Sequence, residues 1–129
     1  MKLLCNYYVT LRCNARCEFC NIWRQKDNFT LLEQSLEDIE KNLKALKKLG
    51  VKIIDFTGGE PLLYPYLTEA LKLAKKIGFY TTITTNCSLY SQYAENLLGL
   101  VDILLFSVQS SIEEEHNRIT DSTTYQKIL

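Results

Sequence analysis

The chain has little of what usually interrupts or modifies a fold. It has two prolines, five glycines, one histidine, one tryptophan and one methionine among 129 residues. No low-complexity tract, Pro/Gly-rich linker or composition break divides it. Neither sign of charge prevails, with 15 Lys and Arg against 15 Asp and Glu. No net field therefore gathers nucleic acid or an anionic membrane. Lys41, Lys44, Lys47, Lys48, Lys72, Lys75 and Lys76 fall on helix faces and read as solvated surface. No apolar run approaches the ~20 residues that cross a bilayer as a helix. With 47% hydrophobic residues the chain still has enough for one core.

Cysteine is the exception, with five in all. Three of them are spaced Cys13-Asn-Ala-Arg-Cys17-Glu-Phe-Cys20. An odd count does not suit a disulfide framework, and no charged segment followed by a long apolar run precedes the cluster. A structural zinc site wants four closed ligands, usually two short-spaced pairs. Cys5, Cys87 and His116 are the other candidates, and none lies in a paired motif. The polar flanks Arg12, Asn14, Arg16 and Glu18 are not those of buried core thiols. Soft thiolates favour iron–sulfur clusters, zinc or cuprous copper. Three of them can hold three irons of a 4Fe-4S cube and leave the fourth iron open to a small molecule. Exposed free thiols persist in a reducing compartment, so a cytoplasmic location is expected.

Hydrophobic period alternates between strand-like and helix-like along the chain. Strands are expected at 3–10, 51–56, 79–85 and 101–108. Helices are expected after Ser35, from about Tyr66, over 91–98 and after Ser111. Ser35 with Asp38 makes a capping box; Leu36, Ile39, Leu43, Leu46 and Leu49 share one face, and Gly50 stops the helix. The order predicts an α/β fold with a parallel sheet and right-handed crossovers. Periodicity alone leaves a barrel and a doubly wound sheet both open. In either, ligands bind at the carboxyl ends of the strands. That is where the cysteine loop, Gly58-Gly59-Glu60, Asn86 and Ser107 fall.

Cys13, Cys17 and Cys20, with Phe19 before the last cysteine, resemble the signature of the radical S-adenosylmethionine (SAM) superfamily. Thr57-Gly58-Gly59-Glu60-Pro61 is similar to the family's GGEP motif after the second strand. The resemblance covers essentially the whole chain, from Leu3 to Leu129. It implies a parallel (β/α) partial TIM-type barrel, about four βα units of an expected (β/α)6 core at ~30 residues per unit. It implies a 4Fe-4S cluster on Cys13, Cys17 and Cys20, and SAM held by Phe19, Gly58, Gly59, Glu60, Asn86 and Ser107. The activity implied is reductive cleavage of SAM to a 5′-deoxyadenosyl radical, which takes a hydrogen atom from a small-molecule or peptide substrate. An external donor such as flavodoxin or ferredoxin would supply the electron.

The residues also have plainer readings. Gly58 and Gly59 can simply make a tight turn, and Phe19 can be core. Thr85-Asn86 resembles a Thr-Asn-Gly of relatives, with Cys87 in the glycine's place. His116 reads as structural, and Arg118 is displaced from the family pattern. Two further readings stay open for the whole chain: an electron-transfer or redox-sensing iron–sulfur protein without SAM chemistry, and a zinc-bound structural module. The first would complete its cluster with a fourth cysteine and has no use for a Gly-Gly-Glu-Pro turn. Residues 123–129 read as the first turns of a helix without a stop signal. The expectation is that 1–129 is a radical SAM core domain truncated at its C-terminal end, and inactive alone.

Overall fold

The computed structural model describes residues 3–25 and 33–129. Its elements are β1 (Leu3–Thr10), α1 (Leu36–Lys48), β2 (Val51–Gly58), α2 (Leu67–Ile77), β3 (Tyr80–Thr85), α3 (Tyr90–Leu97), β4 (Ile103–Phe106), α4 (Glu113–Thr120) and α5 (Tyr125–Ile128). Single 3-10 turns at Ile22–Arg24 and Pro61–Leu63 were not foreseen from the pattern.

The four strands are parallel and lie in the order β1-β2-β3-β4. Right-handed crossovers between sequential neighbours place every helix on the same side of a sheet. A doubly wound sheet instead reverses its strand order and carries helices on both faces. The order therefore selects the barrel type. Burial agrees with it. Tyr7, Val9, Ile54, Phe56 and Ile83 alternate onto one face and form a core with Ile39 and Leu43 of α1 and Leu67, Ala70, Leu71 and Ala74 of α2. Fully burying a Leu or Ile there is worth about 1.5–3 kcal/mol. The opposite parity (Leu4, Asn6, Ile53, Asp55, Thr82, Leu105) lines the concave face, where no helix contributes.

Local chemistry explains most boundaries. Ser35 Oγ accepts from the Asp38 N–H at 3.1 Å and starts α1. Gly78 ends α2 at φ 89°, a left-handed position that suits glycine. Asp121 ends α4 at φ 45°, a conformation aspartate tolerates better than most residues. Three expectations are corrected. Leu49 lies past the end of α1 and is 72% exposed. β4 is shorter than 101–108: it ends at Phe106, and it starts late because Asp102 turns aside, its carboxylate taking the Thr81 N–H at 2.7 Å and the Lys75 ammonium. Ser111 does not cap α4; the cap position is Ile112, whose N–H donates to Ser110 Oγ at 3.0 Å.

Among the described residues no helix is long and apolar enough to cross a membrane. β4 leaves Ile103, Leu105 and Phe106 more than 40% exposed (46%, 47% and 42%). An apolar edge strand is a template for pairing with another strand. Residues 1–129 expressed by themselves are expected to bind the dye ANS and to self-associate. A monomeric, dye-silent, cooperative melt would refute this.

Candidate cofactor site

The cysteine loop leaves the end of β1 and lies across the carboxyl ends of the other strands, held at three places. At the end of β2, the Gly59 N–H donates to the Thr10 carbonyl (2.9 Å) and the Glu60 N–H to the Arg12 carbonyl (2.8 Å). At the end of β3, Asn86 Nδ2 donates to Asn14 Oδ1 (2.9 Å), and Asn14 Nδ2 donates to Ser88 Oγ (2.7 Å). Beyond β4, the Arg16 N–H donates to the Thr120 carbonyl (3.0 Å) and the Glu18 N–H to the Ile119 carbonyl (2.9 Å). Arg118 then pairs with Glu18 across the surface, which is where this displaced arginine finds its partner. Arg12 forks onto Glu33 and reaches the Leu63 carbonyl at 2.8 Å.

Cys13, Cys17 and Cys20 are half-buried and free of disulfides. Burial pushes the Cys13 thiol up; the Ala15 N–H, 3.4 Å from its sulfur, opposes this, and the charges of Glu60 and Cys20 add to it. Cys17 is likewise raised by burial and then by Cys13 and Cys20. Thiols that repel one another's negative charge call for a cation between them. A bound metal reverses the local balance and deprotonates its thiols. Among the described residues no three His, Cys, Asp or Glu side chains close on a single ion. A cube of irons takes each thiolate on its own iron, and three free thiols on one loop, with an N–H aimed at one sulfur, are a donor set that fits a cluster.

The glycine pair faces inward to the loop. A Cβ on Gly58 would lie 2.0 Å from the Thr10 carbonyl oxygen, and one on Gly59 2.1 Å from that of Arg12. Gly58 also has φ 143°. Glycine is thus needed for β1 and β2 to close under the cysteine loop. Gly59→Ala is expected to lower both thermal stability and iron content. An alanine variant that keeps iron and melts as the wild type would contradict that packing.

Glu60 is fully buried. Its Oε1 accepts from Thr85 Oγ1 (2.7 Å) and the Leu62 N–H (3.1 Å), and its Oε2 from the Asn86 N–H (2.9 Å). Burial raises its pKa, and those three hydrogen bonds oppose the rise. The carboxylate thus joins the turn after β2 to the turn after β3 and shows no surface to a ligand. Asn86 also takes part in the frame, its Oδ1 accepting the Ser88 N–H at 2.9 Å, but it is only half-buried. Cys87 occupies the glycine place at φ 64°, so the left-handed turn persists with a side chain in it. Its thiol is buried and pushed up to about 12 by burial and by Glu60.

Phe19 is 65% exposed beside the loop. Ser107 is half-buried at the end of β4, its N–H donating to the Thr85 carbonyl at 3.0 Å. These two stand open to a bound molecule, whereas Glu60 and Asn86 form the frame. His116 is buried and bonded at both ring nitrogens: its Nδ1 accepts the Gln109 N–H at 3.1 Å, which leaves the proton on Nε2, facing Thr124 Oγ1. Asn14 entered the sequence reading only as a polar flank of the cysteines, and Ser88, Ile119 and Thr120 were not singled out for a role. Only Asn14 carried a signal, a paired donor and acceptor inside the cysteine motif.

A parallel βα sheet with a three-cysteine loop and a Gly-Gly-Glu turn on one rim defines a class, and comparison with known proteins agrees. The family model for the radical SAM superfamily matches residues 7–129. The chain belongs to that superfamily. It is 33% identical over 128 residues to an S-adenosylmethionine-dependent nucleotide dehydratase of Flammeovirga pacifica, covering 91% of this chain and 43% of the relative. It is 32% identical over 125 residues to a GTP 3′,8-cyclase of Chlorobaculum tepidum, covering 93% and 37%. Among solved structures, Streptococcus suis SuiB bound to its precursor peptide SuiA matches with TM-score 0.83 and 25% identity, over 98% of this chain and 29% of SuiB. SuiB bound to S-adenosylmethionine matches with TM-score 0.82. The chain spans less than half the length of these proteins.

Proposed function

We propose that this chain is the cluster- and SAM-binding part of a radical SAM enzyme. One observation carries the reading: a loop of three free thiols, seated across the carboxyl ends of four parallel strands and pinned to the Gly-Gly turn. Cys13, Cys17 and Cys20 would hold a 4Fe-4S cluster. Phe19 offers an open ring for the adenine, and Ser107 a hydroxyl. Backbone groups at Gly58 and Gly59 are the acceptors for the amino group of SAM, while Glu60 and Asn86 hold those segments in register. When bound, the cluster and SAM supply one-electron cleavage of a carbon–sulfur bond and hydrogen abstraction from a substrate.

The protein supplies ligation, orientation and a wall against water. The electron would come from an external donor such as a flavodoxin or ferredoxin. Free thiols at the rim favour the reducing cytoplasm as the place of work. The substrate is a small molecule or a peptide, in keeping with the nucleotides and the precursor peptide named for similar proteins.

The test is anaerobic iron and sulfide reconstitution of the full-length protein, followed by EPR with and without SAM. A SAM-dependent change of the cluster signal, with release of 5′-deoxyadenosine on reduction, is expected. A cluster indifferent to SAM would turn the assignment to electron transfer.

A further inference from the structure

The concave face of the sheet departs from what a self-filled barrel requires. Barrel interiors are packed in layers dominated by bulky Val, Ile and Leu. Here the pairing places Asn6, Asp55, Thr82 and Ile103 in one row across the four strands, with Thr84 one step above. Three of the four in that row are polar. They line a cavity of about 380 Å³ whose lower part is apolar, formed by Leu4, Ile53 and Tyr80.

Asp55 is the centre of the row and is more than nine-tenths buried, with 6% exposure. Its Oδ1 accepts from Thr82 Oγ1 at 2.5 Å and its Oδ2 from Thr84 Oγ1 at 2.9 Å. Each carboxylate oxygen has capacity for a second donor. The Asn6 side chain, paired in register with Asp55, makes no hydrogen bond among the described residues. The row lies three residues below Gly58, about 10 Å beneath the rim at ~3.3 Å per residue. None of the residues lining this cavity is a lysine or arginine.

Resting on the radical SAM reading above, we infer that Asp55, oriented by Thr82 and Thr84 and flanked by Asn6, is a substrate-recognition site inside the barrel for a cationic nitrogen group, an ammonium or guanidinium. A carboxylate buried to nine-tenths, with spare acceptor capacity, attracts a charged donor because charge-assisted hydrogen bonds are stronger than neutral ones. A phosphate brought to the same place would meet like charge. The threonine hydroxyls fix the carboxylate plane, and the apolar floor takes the aliphatic stem of the ligand.

The experiment uses the full-length, cluster-reconstituted protein with SAM present. Its probes are argininamide, lysinamide, the uncharged N-acetylnorleucinamide, GTP and the blocked peptide acetyl-Gly-Lys-Gly-amide. Calorimetric binding is expected to favour the cationic probes over N-acetylnorleucinamide and GTP by about tenfold or more. Asp55→Asn should reduce that preference to about threefold or less while the SAM-dependent EPR change persists. A stronger response to the peptide than to the free amides assigns the cation to a peptide side chain, and the converse to a free amine. Equal binding of lysinamide and the uncharged N-acetylnorleucinamide to the wild type overturns the inference, and needs no variant to fold. GTP binding that exceeds the cations and survives Asp55→Asn overturns it as well. A wild type without SAM-dependent EPR change would instead sink the radical SAM reading itself, so the two failures are distinguishable.

Discussion

Replacing Cys13, Cys17 or Cys20 with alanine is expected to abolish iron binding after reconstitution of the full-length protein, read as loss of the cluster's visible absorbance and of bound iron. No thiol stands ready to substitute. Cys5 is on β1, remote from the loop, and Cys87 is buried, with its thiol pushed up to about 12 by burial and Glu60. The control needs care, because Cys87 sits at φ 64°. Alanine there would keep a left-handed strain that glycine does not feel, a difference of about 1 kcal/mol. Cys87→Gly is therefore the better control and should melt higher than Cys87→Ala. Both it and Cys5→Ala should retain the cluster. Iron lost as fully from either control as from Cys17→Ala would disprove three-thiol ligation.

The second large effect is expected at Glu60. Truncation to alanine leaves the Leu62 and Asn86 N–H groups and the Thr85 hydroxyl without their acceptor in a fully buried place. Unsatisfied buried donors cost about 1–3 kcal/mol each, so a loss of about 3 kcal/mol or more is expected in urea denaturation. The damage should spread to the cysteines. The Asn86 backbone bonded to Glu60 carries the side chain that holds Asn14 in the loop. Glu60→Gln should fall between, since its amide keeps an oxygen but sets an N–H against a donor. Wild-type denaturation of Glu60→Ala would remove the carboxylate from this role.

The two predictions show where sequence reasoning reached and where it stopped. Cys13, Cys17, Cys20 and the Gly-Gly-Glu turn stood out because their types and spacing are rare, and the strand–helix alternation placed them on one rim. β1 was legible to the residue at Leu3–Thr10, since a β-branched and aromatic run ends abruptly at a polar loop. β4 was overrun, because Val101 and Val108 are as apolar as the strand between them. What delayed the start of that strand was Asp102 clasping Thr81, a contact invisible from neighbours in sequence. Glu60 was legible as important but not as to why. A carboxylate beside two glycines reads as a ligand contact from the sequence, and its three donors and complete burial add a structural part that the sequence did not show. Asp55 passed as one polar letter in an apolar strand. Only the pairing of strands brought it beside Thr82 and Thr84.

The tie between Arg16 and Thr120 has a consequence for the order of events in the cell. The cysteines lie near the start of the chain, yet their loop takes part of its support from Ile119 and Thr120. A ribosome adds about 5–20 residues per second, so roughly 5–20 s separate the appearance of the three thiols from that of the segment that braces them. During that interval the thiols are available to scavenging metals and oxidants without the geometry that discriminates among them. Delivery of the cluster proposed above would thus have a natural earliest moment, set by translation of the stretch that follows the fourth strand.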